Sequence, residues 1–129
     1  MSTFLGAFNN HLGDFIDDLL TIFPSDIDLK TVRKAFLTLK KINPQAIIRI
    51  WQKYSAKYAS QIEQGDISFF IENKYDKELD NVKDGDEVND IIERLREPVR
   101  NMDEKNKDKA MKYIQNLTKI SRLYYANSK

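Results

Sequence analysis

Arg49, Lys53 and Lys57 recur every four residues, and Lys30, Lys34 and Lys41 follow one another at steps of four and seven. Such steps keep side chains on one face of a helix, so each set reads as a basic ridge. Arg33 and Lys40 flank the first ridge. From position 30 to 62 there are eight Lys or Arg and no acidic residue, so neither ridge has an i,i+4 partner on its own helix. The chemistry this offers is electrostatic capture of an acidic surface. That surface belongs to another protein, to a second copy of this chain, or to a nucleic-acid backbone. The competing reading is neutralisation inside the fold by the acidic segments on either side.

Other chemistries find less support. With one histidine, His11, and no cysteine, there is no triad, no thiolate site and no transition-metal cluster; His11 is expected to be exposed or capping. Gly6, Gly13, Gly65 and Gly85 are scattered singly, so no phosphate-cradling loop is present. A calcium loop begun at Asp80 would place Val82 and Ile91 where its third and twelfth ligands belong, and it fails there. Carboxylates are plentiful, but nothing pairs two of them in a buried pocket. The chain is therefore read as non-enzymatic, with no cofactor, no metal and no small-molecule substrate. Arg94, Arg96 and Arg100 are further candidates for a nucleic-acid surface. Trp51, Tyr54 and Tyr58 fall away from Arg49 and Lys53, which makes them core rather than base-stacking residues.

The charges fall in blocks. Residues 1–29 hold five Asp and no base, and residues 63–93 hold eleven acids against three Lys; residues 94–129 hold ten bases against four acids, for a net charge of +1. Near-neutral balance argues against a dedicated nucleic-acid binder. The apolar start of the chain has no Lys or Arg and is interrupted by Asp14, Asp17 and Asp18. It reads as neither a signal peptide nor a membrane span, so an intracellular setting is expected.

Four Gly and three Pro in 129 residues leave few turns, which favours long helices. Phe4, Leu5, Phe8, Leu12, Phe15, Ile16, Leu19 and Phe23 form the stripe of a first helix ended by Pro24. Ser25 or Asp26 caps a second, running to about Ile42, with Val32, Phe36, Leu39 and Ile42 inward. Asn43-Pro44 predicts the start of a third, burying Ile47, Ile48, Trp51, Tyr54, Tyr58 and Ile62 and stopped by Gly65. Arg49, Lys53 and Lys57 should lie exposed opposite Trp51. Ile67, Phe69, Phe70 and Ile71 form an apolar knot, followed by an acidic loop at about 75–90. A fourth helix near Asp86 uses Val88, Ile91, Ile92 and Leu95, and Pro98 ends or kinks it. Asp103 caps a long last helix with Ala110, Ile114, Leu117, Ile120 and Tyr124 inward. The expectation is all-α: one compact domain over 1–129, of about five helices in an orthogonal or bundle-like core.

Several phrases form a set: Phe8-Asn9-Asn10, Phe23-Pro24 with Asp26 and Asp28-Leu29, Asn43-Pro44, Gly65-Asp66 with Phe69-Phe70, and the run from Lys112 to Leu117. As a set they resemble short helical proteins encoded by nucleocytoplasmic large DNA viruses, including giant viruses. The resemblance covers nearly the whole chain apart from about 80–90. It implies a setting, the infected cell's cytoplasm or the virion, and a role as a minor structural or assembly component. It carries no assigned activity, cofactor or site residue. The function expected is protein–protein interaction or self-association, with nucleic-acid binding through the ridges on the second and third helices as the alternative.

Overall fold

A computed structural model describes residues 3–72 and 85–127. Among the described residues every regular element is an α-helix: α1 (Thr3–Ile22), α2 (Ile27–Ile42), α3 (Ala46–Lys57), α4 (Ala59–Glu63), α5 (Ser68–Glu72), α6 (Gly85–Arg100) and α7 (Glu104–Ala126). These seven helices stand where about five were expected: a helix falls at each of the five expected places, but the third, expected to run from Pro44 to Gly65, covers only Ala46–Lys57. The two of five residues come from a break at Tyr58 and from the apolar knot, which closes as one helical turn with Phe69 and Phe70 buried.

The caps act as their chemistry predicts. Asp26 accepts a hydrogen bond from Leu29 N at 3.0 Å, and Asp103 accepts one from Asn106 N at 2.8 Å. Each satisfies a backbone donor that the first helical turn leaves without a partner. Gly65 stops α4 at φ 72, with Gly65 N donating to Ile62 O and Asp66 N to Gln61 O. That pair of bonds is a Schellman closure, and its left-handed position strains any residue with a Cβ.

Four expectations need correction. Asn43 is the C-cap of α2, and α3 begins at Ala46 rather than at Pro44; the Asn43 carbonyl takes Ala46 N at 3.1 Å, so Asn43-Pro44-Gln45 is a turn between helices. Ile42 is 76% exposed. From Phe36, two steps of three carry it about 120° round the helix, off the buried stripe of Leu29, Val32, Phe36 and Leu39. Pro98 does not end α6, which runs past it to Arg100. It falls in the last turn, where little ladder is lost, and burial of Val99 and Met102 beyond it carries the apolar stripe across. Residues 85–90 of the expected acidic loop are helical, while 73–84, and with them the start of the tested calcium loop, lie outside the described residues.

α3 is central, packing on α1, α2, α6 and α7. Centrality explains why Ala46 and Ile50 are buried along with Ile47, Ile48, Trp51 and Tyr54: the buried arc spans about 200° rather than one narrow stripe. Asn9, 4% exposed on α1, donates from Nδ2 to Pro44 O at 3.0 Å and so holds the entry to α3. α1 and α7 pack antiparallel. His11 shares a cleft with Asn116, Asp18 lies against Lys109 and Tyr113, and Ile22 sits by Met102 and Asn106.

Candidate functional site: the outer face of α2

The six expected site residues divide into two rows. Lys30, Lys34 and Lys41 are all exposed on α2, and no ion pair engages them among the described residues. On α3, Lys53 and Lys57 are exposed but Arg49 is only half-exposed. Arg49 lies close enough to Tyr125, near the end of α7, to oppose electrostatically the upward push that burial gives that phenol. The α3 ridge is therefore partly covered at its first member, contrary to expectation, and Tyr58 opposite is only partly buried. Trp51 is buried as expected, at 4% exposure.

Neutralisation within the fold accounts for some of the positive charge. Arg33 Nε pairs with Asp17 of α1 at 3.0 Å, and Arg122 lies 3.8 Å from Glu63. Lys40 sits over the Phe36 ring at 5.9 Å. The three arginines of α6 are all engaged. Arg94 bridges Asp28 at 2.7 Å and Asp90 at 2.9 Å, and these partners, Asp90 first, raise its pKa. Arg96 pairs with Glu93 and donates to Phe70 O, and Arg100 pairs with Glu97 and donates to Ile71 O. They are structural ties, which withdraws support from a nucleic-acid surface built on them.

What the sequence pattern concealed is an apolar groove beside the α2 lysines. It has a volume of about 410 Å³ and is lined by Thr31, Lys34, Ala35, Thr38, Leu39 and Ile42, with Glu87 of α6 on its far side. Ile27 at 77% exposure, Ile42 at 76% and Leu37 at 44% are half of the six exposed large apolar side chains among the described residues, and α2 carries more of them than any other helix. Such residues singly are ordinary; here Ile42 lines the groove and Ile27 continues its line along α2, while Leu37 lies beyond the lysines. The signal was available in the spacing of Ile27, Thr31, Ala35, Thr38 and Ile42. It was hidden because the inward stripe alone accounts for a helix.

A second cleft, between α1 and α7, is lined by His11, Asp18, Lys109, Lys112, Tyr113 and Asn116. His11 is half-buried rather than exposed. Its ring lies 4.8 Å from that of Tyr113, and its Nε2 is buried without a hydrogen-bond partner. The Tyr113 hydroxyl donates to Asp18 Oδ2. Burial first, then this bond and the charges of Asp18 and Asp14, push the phenol from its ordinary 10.0 up to about 12. A phenol whose folded pKa is raised binds its proton more tightly folded than unfolded. This group leaves stability unaffected below pH 10.0, then lowers it as pH rises towards about 12. Absorbance at 295 nm should show a late-titrating phenol among the six tyrosines, and Tyr113→Phe should remove it and flatten the alkaline decline.

Among the described residues no helix is long and apolar enough to cross a membrane, and no three His, Cys, Asp or Glu side chains gather as a metal site. Compared with known proteins, the chain matches no family, no curated protein and no solved structure.

Proposed function

We propose that this chain is a non-enzymatic interaction protein that binds an acidic protein surface with the outer face of α2, in an orthogonal or bundle-like helical domain. The observation that carries the reading is the row Lys30, Lys34 and Lys41, exposed and without ion pairs among the described residues, beside an exposed apolar groove. Unpaired cations give on-rate and orientation, and adjoining apolar surface gives affinity once water is displaced. The setting proposed with it, on the sequence resemblance alone, is that of a minor structural or assembly component in a cell infected by a large DNA virus, or in its virion.

Light scattering and cross-linking at low and high salt, with the native chain and with Lys30→Glu, Lys34→Glu and Lys41→Glu combined, test the reading. The triple variant should keep its melting temperature within a few degrees, because exposed substitutions rarely cost more than about 0.5 kcal/mol each. Its association with a protein partner should weaken about tenfold or more, since three exposed pairs of about 0.5 kcal/mol each are lost and reversed. A melted variant whose associations survive would make the row a structural surface. Retarded DNA or RNA in a mobility shift at ~50 mM salt, lost in the triple variant, would point to the nucleic-acid alternative.

A further inference from the structure

The groove allows the partner's chemistry to be named, and this step rests on the reading of the chain as an interaction protein. We propose that the outer face of α2 seats an amphipathic helix of another protein, its apolar stripe on Ile27, Thr31, Ala35, Thr38 and Ile42 and its acidic row along Lys30, Lys34 and Lys41.

Geometry carries the first half. The five stripe residues follow one another at steps of four, four, three and four, and fall within about 80° of one another on the helix. They run for about four turns, the length over which helices commonly pack. Ile27 and Ile42 stand out at the two ends, and the small residues between them let a partner backbone approach. The Thr31 hydroxyl already donates to Ile27 O at 3.0 Å, so burying it beneath a partner strands no donor. Recognition by apolar anchors at such spacing is how a helix is read by a groove.

Charge carries the second half. The three lysines line one flank of the stripe, while Glu87 of α6 lies on the other. A helix with acids on one flank only is therefore received in one orientation. Among the described residues, a second copy of this chain does not supply it. The acidic helices α1 and α6 spend their apolar stripes on the core, through Phe8, Leu12, Phe15, Ile16 and Leu19 in one and Val88, Ile91, Ile92 and Leu95 in the other. A nucleic-acid backbone offers nothing to the apolar stripe.

Two labelled synthetic peptides of identical composition provide the test. One places Leu and Ala at the four-four-three-four spacing with Glu along one flank; the other scrambles the order. Fluorescence anisotropy with the full chain should show the patterned peptide binding at least tenfold more tightly, with amide shifts confined to α2 and the first turns of α6. Ile42→Asp and Ile27→Asp should each weaken binding about tenfold without lowering the melting temperature appreciably. Lys34→Glu with Lys41→Glu should weaken it too, and a peptide with Lys in place of Glu should restore it. Equal binding of the scrambled peptide, indifference to Ile42→Asp, or failure of the charge swap to restore binding would each overturn the helix-in-groove assignment. If it falls while the triple lysine variant still loses a protein partner, the interaction reading stands and only the partner's shape is wrong. If both fail, the reading itself goes.

Discussion

Replacing Trp51 with alanine should lower the unfolding free energy by about 3–5 kcal/mol, the range for emptying a buried aromatic site. The indole lies on the central helix at 4% exposure, meets the Phe8 ring edge-on at 6.3 Å and the Tyr54 ring at 5.6 Å, and donates from Nε1 to Thr118 Oγ1 at 3.1 Å. Alanine removes all of these at the point where α1, α3 and α7 meet. The Thr118 hydroxyl keeps its own donation to Ile114 O at 2.8 Å, so the loss is mainly of packing. Two companions separate the contributions. Trp51→Phe retains most of the ring volume and should cost much less. Thr118→Val leaves the indole N–H buried without an acceptor and should cost about 1–3 kcal/mol. Urea unfolding followed by circular dichroism reads all three, because Trp51 is the single tryptophan and cannot report on its own absence. A Trp51→Ala midpoint close to the parent's would mean that the packing around α3 is not as described.

The second large effect is expected at Arg96. A helix of five residues cannot satisfy its own last carbonyls. Two arginines one turn apart on α6 do so for α5: Arg96 Nε donates to Phe70 O and an Arg100 η-nitrogen donates to Ile71 O, each at 2.7 Å. Arg96 is 8% exposed and also holds Glu93 at 2.6 Å. Arg96→Ala should cost about 2–3 kcal/mol, since it removes a charge-assisted bond and strands a buried carbonyl. Arg100→Ala should cost less, about 1 kcal/mol or below, because its side chain is 46% exposed and water can replace its bonds. Arg96→Lys should not restore the loss, because an ammonium cannot span Phe70 O and Glu93 as the guanidinium fork does. Amide exchange should accelerate across 68–72 in Arg96→Ala before it does so elsewhere, as α5 loses its tie to α6. Uniform exchange throughout the chain would contradict a local clasp.

Arg96 also shows which features could be read from the sequence and which could not. Asp26 and Asp103 announced their helices because a cap is a matter of three or four consecutive residues. Trp51, Ile114 and Leu117 were legible as core because burial on a helix repeats with its turn. Arg96 was legible only as a cation. Its acceptor, Phe70 O, is 26 positions away, and no local pattern reveals a carbonyl left open by a short helix. Arg33 with Asp17 and Arg94 with Asp28 were hidden for the same reason: the charge blocks made pairing between segments expected, but only the packing chooses partners. At the candidate site the lysines were visible and the groove was not. Ile42 reads as inward from sequence because a run of apolar residues at steps of three and four does not say where the partner surface stops.

The antiparallel pairing of α1 with α7 has a consequence for the order in which the protein can fold. Synthesis makes the stripe of Phe8, Leu12, Phe15, Ile16 and Leu19 well before α7, a main cover for it. Until α7 appears, α1 can shelter chiefly against α2 and α3 among the described residues, and the cleft around Tyr113 does not yet exist. Closure therefore waits on contacts between positions about a hundred residues apart, which slows folding relative to a bundle of neighbouring hairpins. Over that interval the uncovered stripe of α1 is apolar surface of the kind that promotes aggregation of partly folded chains.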